Sequence, residues 1–245
     1  SLEILGLYNA GFMITMTYAG MVFSAMETDF YPRLSAVKSP GTELNRMVNE
    51  QIEVSVLLVS PLLIVLMIGL PILLPLLYSN AFIGILCMTQ AAVLAMFLRA
   101  AYLPMEYIAL SRGNPRAYFI QEAFSAVLLV LFIILGYNNF GLRGIGIFMV
   151  LSAMVETLFV IIYTRLKYSY RLSTSAMKYF TFQFLIGLFA YASTYIVSVP
   201  FYWCMGIFWI AISSYYSFKI VRGKTKLQDG VKNKFISMFN KQEDN

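Results

Sequence analysis

Long apolar segments, interrupted by short connectors that carry positive charge on every second occasion, limit this chain more than any other feature. Seven segments, at about 6–31, 52–78, 82–110, 117–137, 142–164, 176–198 and 200–220, meet the roughly 20 apolar residues that crossing a bilayer requires. The connector with Arg33, Lys38 and Arg46 holds three cations, that with Arg112 and Arg116 two, and that with Arg165, Lys167, Arg171 and Lys178 four. The tail from Lys219 onward holds seven, so 16 of the 18 Lys and Arg fall on one side of the array. Because cytoplasmic loops collect Lys and Arg, the tail is expected in the cytoplasm and the N-terminus outside. A mean hydropathy of +0.73 and a charged fraction of 12% sit far from a soluble domain, where about a quarter of residues are charged. The expected class is an all-α integral membrane protein with about seven transmembrane helices.

The same features exclude several functions. The pI near 9.2 reflects cations flanking apolar spans rather than a basic patch interleaved with aromatics, so nucleic acid is not an expected partner. With no histidine in the chain, imidazole bases and His-ligated metals are excluded, and no catalytic, metal or cofactor site is expected. Cys87 and Cys204 lie in separate spans, where packing is the ordinary role and a disulfide is not expected. The chain opens Ser1-Leu2-Glu3 without a basic-then-apolar leader. Together with an odd span count, that suggests the C-terminal portion of a longer polypeptide.

Within the spans, polar residues are expensive and therefore informative. Arg99 lies well inside the third, with Tyr102 at i+3 and Glu106 at i+7 on about the same helical face. A mid-membrane charge faces the bundle interior or water and takes partners. Arg99 is either an anion contact, its planar fork suiting phosphate oxygens, or a structural partner of Glu106, Glu122 or Glu156, or it snorkels to the cytoplasmic face. Glu156, mid-span in the fifth, either couples proton uptake to transport or glues helices. Thr17, Ser24 and Thr28 recur at i, i+7 and i+11 on the first span; they either bond back to their own helix or line an aqueous cavity. Pro32-Arg33 is expected to end that span. Residues 43–53 read as an amphipathic lead-in lying at the interface, with Leu44, Met47, Val48 and Ile52 on its apolar face. Pro61, Pro71 and Pro75 are expected to bend the second span, their freed carbonyls satisfied by neighbours. The last two spans, rich in Phe, Tyr and Trp, read as lipid-facing, and Val231, Phe235, Met238 and Phe239 mark the tail as either a basic surface helix or a frayed, solvated segment.

Leu5-Gly6-Leu7-Tyr8-Asn9-Ala10-Gly11, followed by Phe30-Tyr31-Pro32-Arg33-Leu34-Ser35, then the Pro-rich run from Leu70 to Phe82 and Gly136-Tyr137-Asn138-Asn139-Phe140-Gly141-Leu142-Arg143-Gly144, resembles the C-terminal lobe of bacterial polysaccharide flippases. These belong to the multidrug/oligosaccharidyl-lipid/polysaccharide exporter superfamily, and the resemblance covers most of residues 5–167. It implies a MATE-like, two-lobe bundle of fourteen helices, with residues 1–167 forming five helices of the C-terminal lobe, 168–222 two additional helices and 223–245 a basic tail. The lobe's first helix and the whole N-terminal lobe would be missing. It implies alternating access in the bacterial inner membrane and a polyprenyl-pyrophosphate-linked oligosaccharide as substrate. Arg99, Tyr102, Thr17, Ser24 and Thr28 are then candidate substrate contacts, and Glu156, Glu106 and Glu122 candidate coupling or structural carboxylates. A cation-coupled multidrug exporter is the near alternative. A membrane glycan polymerase or ligase is the distant one, and it conflicts with outer connectors that are short and free of His, Asp and Glu. The charge pattern predicts that a reporter fused after Asn245 reads cytoplasmic and one inserted at 138–141 reads external; the reverse pattern would overturn this topology.

Overall fold

The structure, a computed structural model, describes residues 2–37 and 41–243, with side chains for 4–37 and 41–224. It consists of α1 (Leu2–Ala36), α2 (Thr42–Leu77), a 3-10 turn (Asn80–Ile85), α3 (Leu86–Ser111), α4 (Pro115–Tyr168), α5 (Thr174–Ser193) and α6 (Val199–Glu243). Four stretches are long and apolar enough to cross a membrane: Thr42–Leu77, Asn80–Ser111, Pro115–Tyr168 and Val199–Lys224. The all-α membrane class holds, while the count differs from seven. α1 and α5 are not among the four, because residues such as Asn9, Thr15, Thr17 and Ser24 in α1 and Gln183 in α5 dilute their apolar character.

The remaining difference comes from α4, which folds back on itself. Gly141 has φ 63° and ψ −148°, a left-handed conformation open to glycine but strained for other residues. The two arms, 115–140 and 142–168, then run antiparallel. Phe124 stacks on Phe159 with centroids 4.1 Å apart, Phe132 meets Phe148 at 6.1 Å, and Ser125 bonds Glu156. Each arm is long enough for a bilayer at about 1.5 Å per residue, so the two expected spans at 117–137 and 142–164 correspond to the two arms. Gly136 and Gly144 face each other so closely that a Cβ on either would overlap the other's backbone.

At the centre stands α3, with 20 of its 26 residues buried, so it is covered on nearly every side. It packs against α1, α2, α4 and α5, while α2 also carries α5 and α6 on its other flank. Small residues let these neighbours close in. A Cβ at Gly146 of α4 would lie 2.6 Å from the Met88 carbonyl oxygen, and one at Gly187 of α5 would lie 2.8 Å from the Phe97 ring. The glycine-containing start of the second arm thus has the close-packing role its sequence suggests.

Proline is accommodated within the helices. α2 stays helical through Pro61, Pro71 and Pro75, and α1 continues past Pro32 to Ala36 rather than ending there. A proline at i removes the bond to the carbonyl at i−4, so Pro71 frees the Met67 carbonyl. The buried Gln90 amide of α3 donates to that oxygen at 3.3 Å. Near the start of α2, residues 43–53 form its first turns rather than a separate surface helix. Leu44, Val48 and Ile52 are buried as expected, but so are Asn49 and Glu53. Asn49 accepts from the Tyr170 hydroxyl (2.9 Å) and the Ser173 amide (2.7 Å), and donates to the Arg171 carbonyl (3.0 Å). It therefore pins the α4–α5 connector, and burial pushes the Tyr170 phenol above its ordinary pKa.

The last two helices are not lipid-facing all round. Gln183 of α5 bonds Ser213 and Ser217 of α6, and Tyr202 donates to the Ile68 carbonyl at 2.8 Å. Their outer faces, with Phe182, Phe189, Phe208 and Phe218, remain exposed. The backbone of α6 continues as one helix to Glu243, whereas the faces expected of Val231, Phe235, Met238 and Phe239 involve side chains outside the described residues. Gly146→Ala should destabilise the protein by about 1–3 kcal/mol through overpacking against backbone, read as a lower unfolding midpoint in detergent. Gly6→Ala, where nothing lies within 4 Å of the new Cβ, should be neutral or slightly stabilising.

Candidate functional site

Helical periodicity places Arg99, Tyr102 and Glu106 on one face of α3, and the α4 hairpin supplies the groups opposite. Tyr102 and Glu106 are buried at 3% and 2% exposure, Glu156 on the second arm at 7%, and Arg99 is half-buried. The Ser125 hydroxyl on the first arm donates to the Glu156 carboxylate, and the Tyr102 hydroxyl lies within hydrogen-bonding reach of the same group. Arg99 sits within electrostatic range of Glu106, Glu156 and Glu122. The fold-back at Gly141 is what brings Glu122, Ser125 and Glu156 to one patch of α3, although the last is about thirty residues from the others.

Arg99 also has a second side. It lines a cleft of about 180 Å³ between α1 and α3, together with Ser24, Glu27 and the apolar side chains of Phe23, Met96 and Leu103. Three ion pairs occur among the described residues: Arg33–Asp29, Arg46–Glu50 and Lys224–Glu53. Arg99 belongs to none of them. Its guanidinium is therefore close enough to carboxylates to feel their charge, yet it is not clamped by any one of them. A bare cation in a low-dielectric interior is costly; here the surrounding carboxylates and the cleft offset that cost.

The sequence-predicted site is assembled in part. Arg99, Tyr102, Glu106, Glu122 and Glu156 come together around one face of α3. The α1 hydroxyls do not act as a set. Thr17, Ser24 and Thr28 are all exposed on α1, but only Ser24 is among the residues lining the Arg99 cleft. Thr28 donates to the Ser24 carbonyl at 2.9 Å, the self-bonded role open to any helical threonine.

Two residues were missed by sequence reasoning. Ser125 gave a faint signal, three residues after Glu122 and so on the same helical face. Glu27, near the end of α1, gave none: it lines the cleft beside Arg99 and lies in reach of the Tyr107 hydroxyl. Cys87 and Cys204 are both free. Among the described residues no group of three or more Cys, Asp or Glu is placed to hold a metal ion.

The fold and this cluster define a helical membrane protein with a mixed-charge polar interior next to an open cleft. Residues 1–87, comprising α1, α2 and the turn that leads into α3, match the family model described as "Polysaccharide biosynthesis protein". Thr17, Ser24, Thr28 and Glu27 lie within the matched stretch, whereas Arg99 and its carboxylates lie beyond it. No curated protein and no solved structure matches the chain. Removing the hydroxyl in Ser125→Ala should lower stability by about 0.5–2 kcal/mol, the range of interhelical hydrogen bonds in membranes. A midpoint unchanged from wild type in a detergent unfolding titration would show that the Ser125–Glu156 bond does not couple the two arms.

Proposed function

We propose that this chain is the C-terminal lobe of a flippase that moves a polyprenyl-pyrophosphate-linked oligosaccharide across the bacterial inner membrane for surface polysaccharide synthesis, with its C-terminus in the cytoplasm. In this reading it is a transporter and not an enzyme. The observation that carries it is the placement of Arg99: a half-buried guanidinium in a cleft between two helices, unpaired by the ion pairs of the described residues. A bidentate cation of this kind suits the oxygens of a pyrophosphate. Ser24 lies beside it in the cleft to meet polar parts of the same group, Tyr102 acts from behind through its contact with Glu156, and Thr17 and Thr28 continue the exposed α1 surface toward the sugars.

The carboxylates give the cycle its return stroke. Glu156 couples proton uptake to reorientation, with Glu106 and Glu122 adjusting the field around Arg99. When the anion is bound, Arg99 is neutralised by substrate; when it leaves, the neighbouring carboxylates take over that role. Such an exchange of counter-ions gives two interior states of similar energy, which alternating access requires. A multidrug exporter would use the carboxylates in the same way but would have no need for a guanidinium in the cleft. A glycan polymerase or ligase would need acid, base or glycan-binding groups on the outer connectors.

The test is Arg99→Ala in the full-length gene. At unchanged membrane abundance, surface glycan should fall on the order of tenfold or more, the scale of one lost charge-assisted contact, while lipid-linked units accumulate facing the cytoplasm. Arg99→Lys should retain part of the export. Normal export in Arg99→Ala, or increased drug sensitivity with normal glycan, would remove the flippase reading. Glu156→Gln should abolish the dependence of export on the proton gradient.

A further inference from the structure

Both α1 and α6 pack on α2, and a crevice of about 570 Å³ runs between them. Its walls carry both signs of charge: Arg33 from α1, Glu50 and Glu53 from α2, and Lys224 from α6, above apolar Phe30 and Leu57. Glu53, at 5% exposure, is paired with Lys224, whose ammonium also stands 5.3 Å from the Tyr179 ring of α5. Arg33 and Glu50 are committed differently. Their partners are Asp29 at 2.9 Å and Arg46 at 3.2 Å, both one helical turn away on exposed surface. Pairs of that kind are weak and readily exchanged.

Deeper along α2 the same three helices bound a second groove, of about 470 Å³. Its lining is almost wholly apolar and includes Val22, Leu62, Leu66, Ile72 and Trp203. A soluble anion would use the first space and leave the second empty, and a hydrocarbon would do the reverse. An amphiphile suits both.

We infer that the α1–α2–α6 crevice seats a glycerophospholipid with a primary-amine headgroup. Arg33 and Lys224 lie on opposite walls, where they bridge the phosphate, and Glu50 between them accepts from the ammonium. The acyl chains extend into the apolar groove. The charge pattern selects the headgroup. A quaternary choline has no N–H to give Glu50, and a glycerol headgroup brings no cation to it. This seat is independent of the transport reading, since it shares no residue with the Arg99 cleft.

The test uses the full-length protein in detergent, with binding read by native mass spectrometry and by the shift of the unfolding midpoint. The added lipids are phosphatidylethanolamine, phosphatidylcholine, phosphatidylglycerol and polyprenyl phosphate. Phosphatidylethanolamine should bind on the order of tenfold more tightly than phosphatidylcholine, the scale of one charge-assisted hydrogen bond. Glu50→Gln should abolish that preference, and Arg33→Gln should weaken both lipids. These two positions hold only exposed partners, so both variants are expected to fold, whereas Lys224→Gln would strand the buried Glu53. Equal binding of the amine and choline lipids would overturn the inference. So would a preference that survives Glu50→Gln, or tighter binding of polyprenyl phosphate than of phosphatidylethanolamine.

Discussion

A helix wrapped on nearly all sides by other helices has no solvent to correct its errors, and α3 is in that position. Each polar side chain on it must find a partner within the bundle or open onto a cavity. Gln90 meets the demand by bonding the carbonyl that Pro71 frees in α2. Tyr102 meets it at Glu156, and Arg99 by standing where the α4 carboxylates and the α1 cleft converge. The neighbouring helices obey a matching rule of size. Gly11 of α1, Gly146 of α4 and Gly187 of α5 all lie where a Cβ would strike α3. With no hydrophobic drive between helices in lipid, such close contact supplies the packing that holds the bundle together.

This arrangement divides the molecule into faces of different chemistry. The outer surfaces of α4, α5 and α6 present Phe, Leu, Ile and Val to lipid. The exposed face of α1 is mixed, with Thr17, Ser24 and Thr28 among Met13, Tyr18 and Met21. Arg99 borders that face and is linked electrostatically to the carboxylates Glu106, Glu122 and Glu156. A change of charge in the cleft is therefore felt at the α3–α4 packing surface. The first 87 residues, which match a polysaccharide biosynthesis family model, include the α1 wall of that cleft.

Much of this was legible before any coordinates. The spans at 117–137 and 142–164 were separable because Asn138, Asn139 and Gly141 interrupt an apolar run, and the structure turns back at Gly141. Arg99, Tyr102 and Glu106 were assigned to one face from spacing alone, and they share it. The errors have a common origin. Local amphipathicity singles out Leu44, Val48 and Ile52 as the inward face of the start of α2 and gives no reason to bury Asn49 and Glu53. Both are buried, each satisfied by groups more than a hundred residues away: Tyr170 and Ser173 for one, Lys224 for the other. The place of Glu27 in the cleft likewise depends on how α1 leans on α3, which its own helix does not record.

Local information thus reached as far as the all-α membrane class, helical register and the cost of each intramembrane charge, because those follow from hydropathy, periodicity and the absence of water in a bilayer. Partnership was beyond it. Whether Glu156 would meet Tyr102, or the Met67 carbonyl meet Gln90, is settled by the fold-back of α4 and the approach of α2 to α3. Such pairings join residues remote in sequence, and a single helix carries no record of the surface that will pack against it.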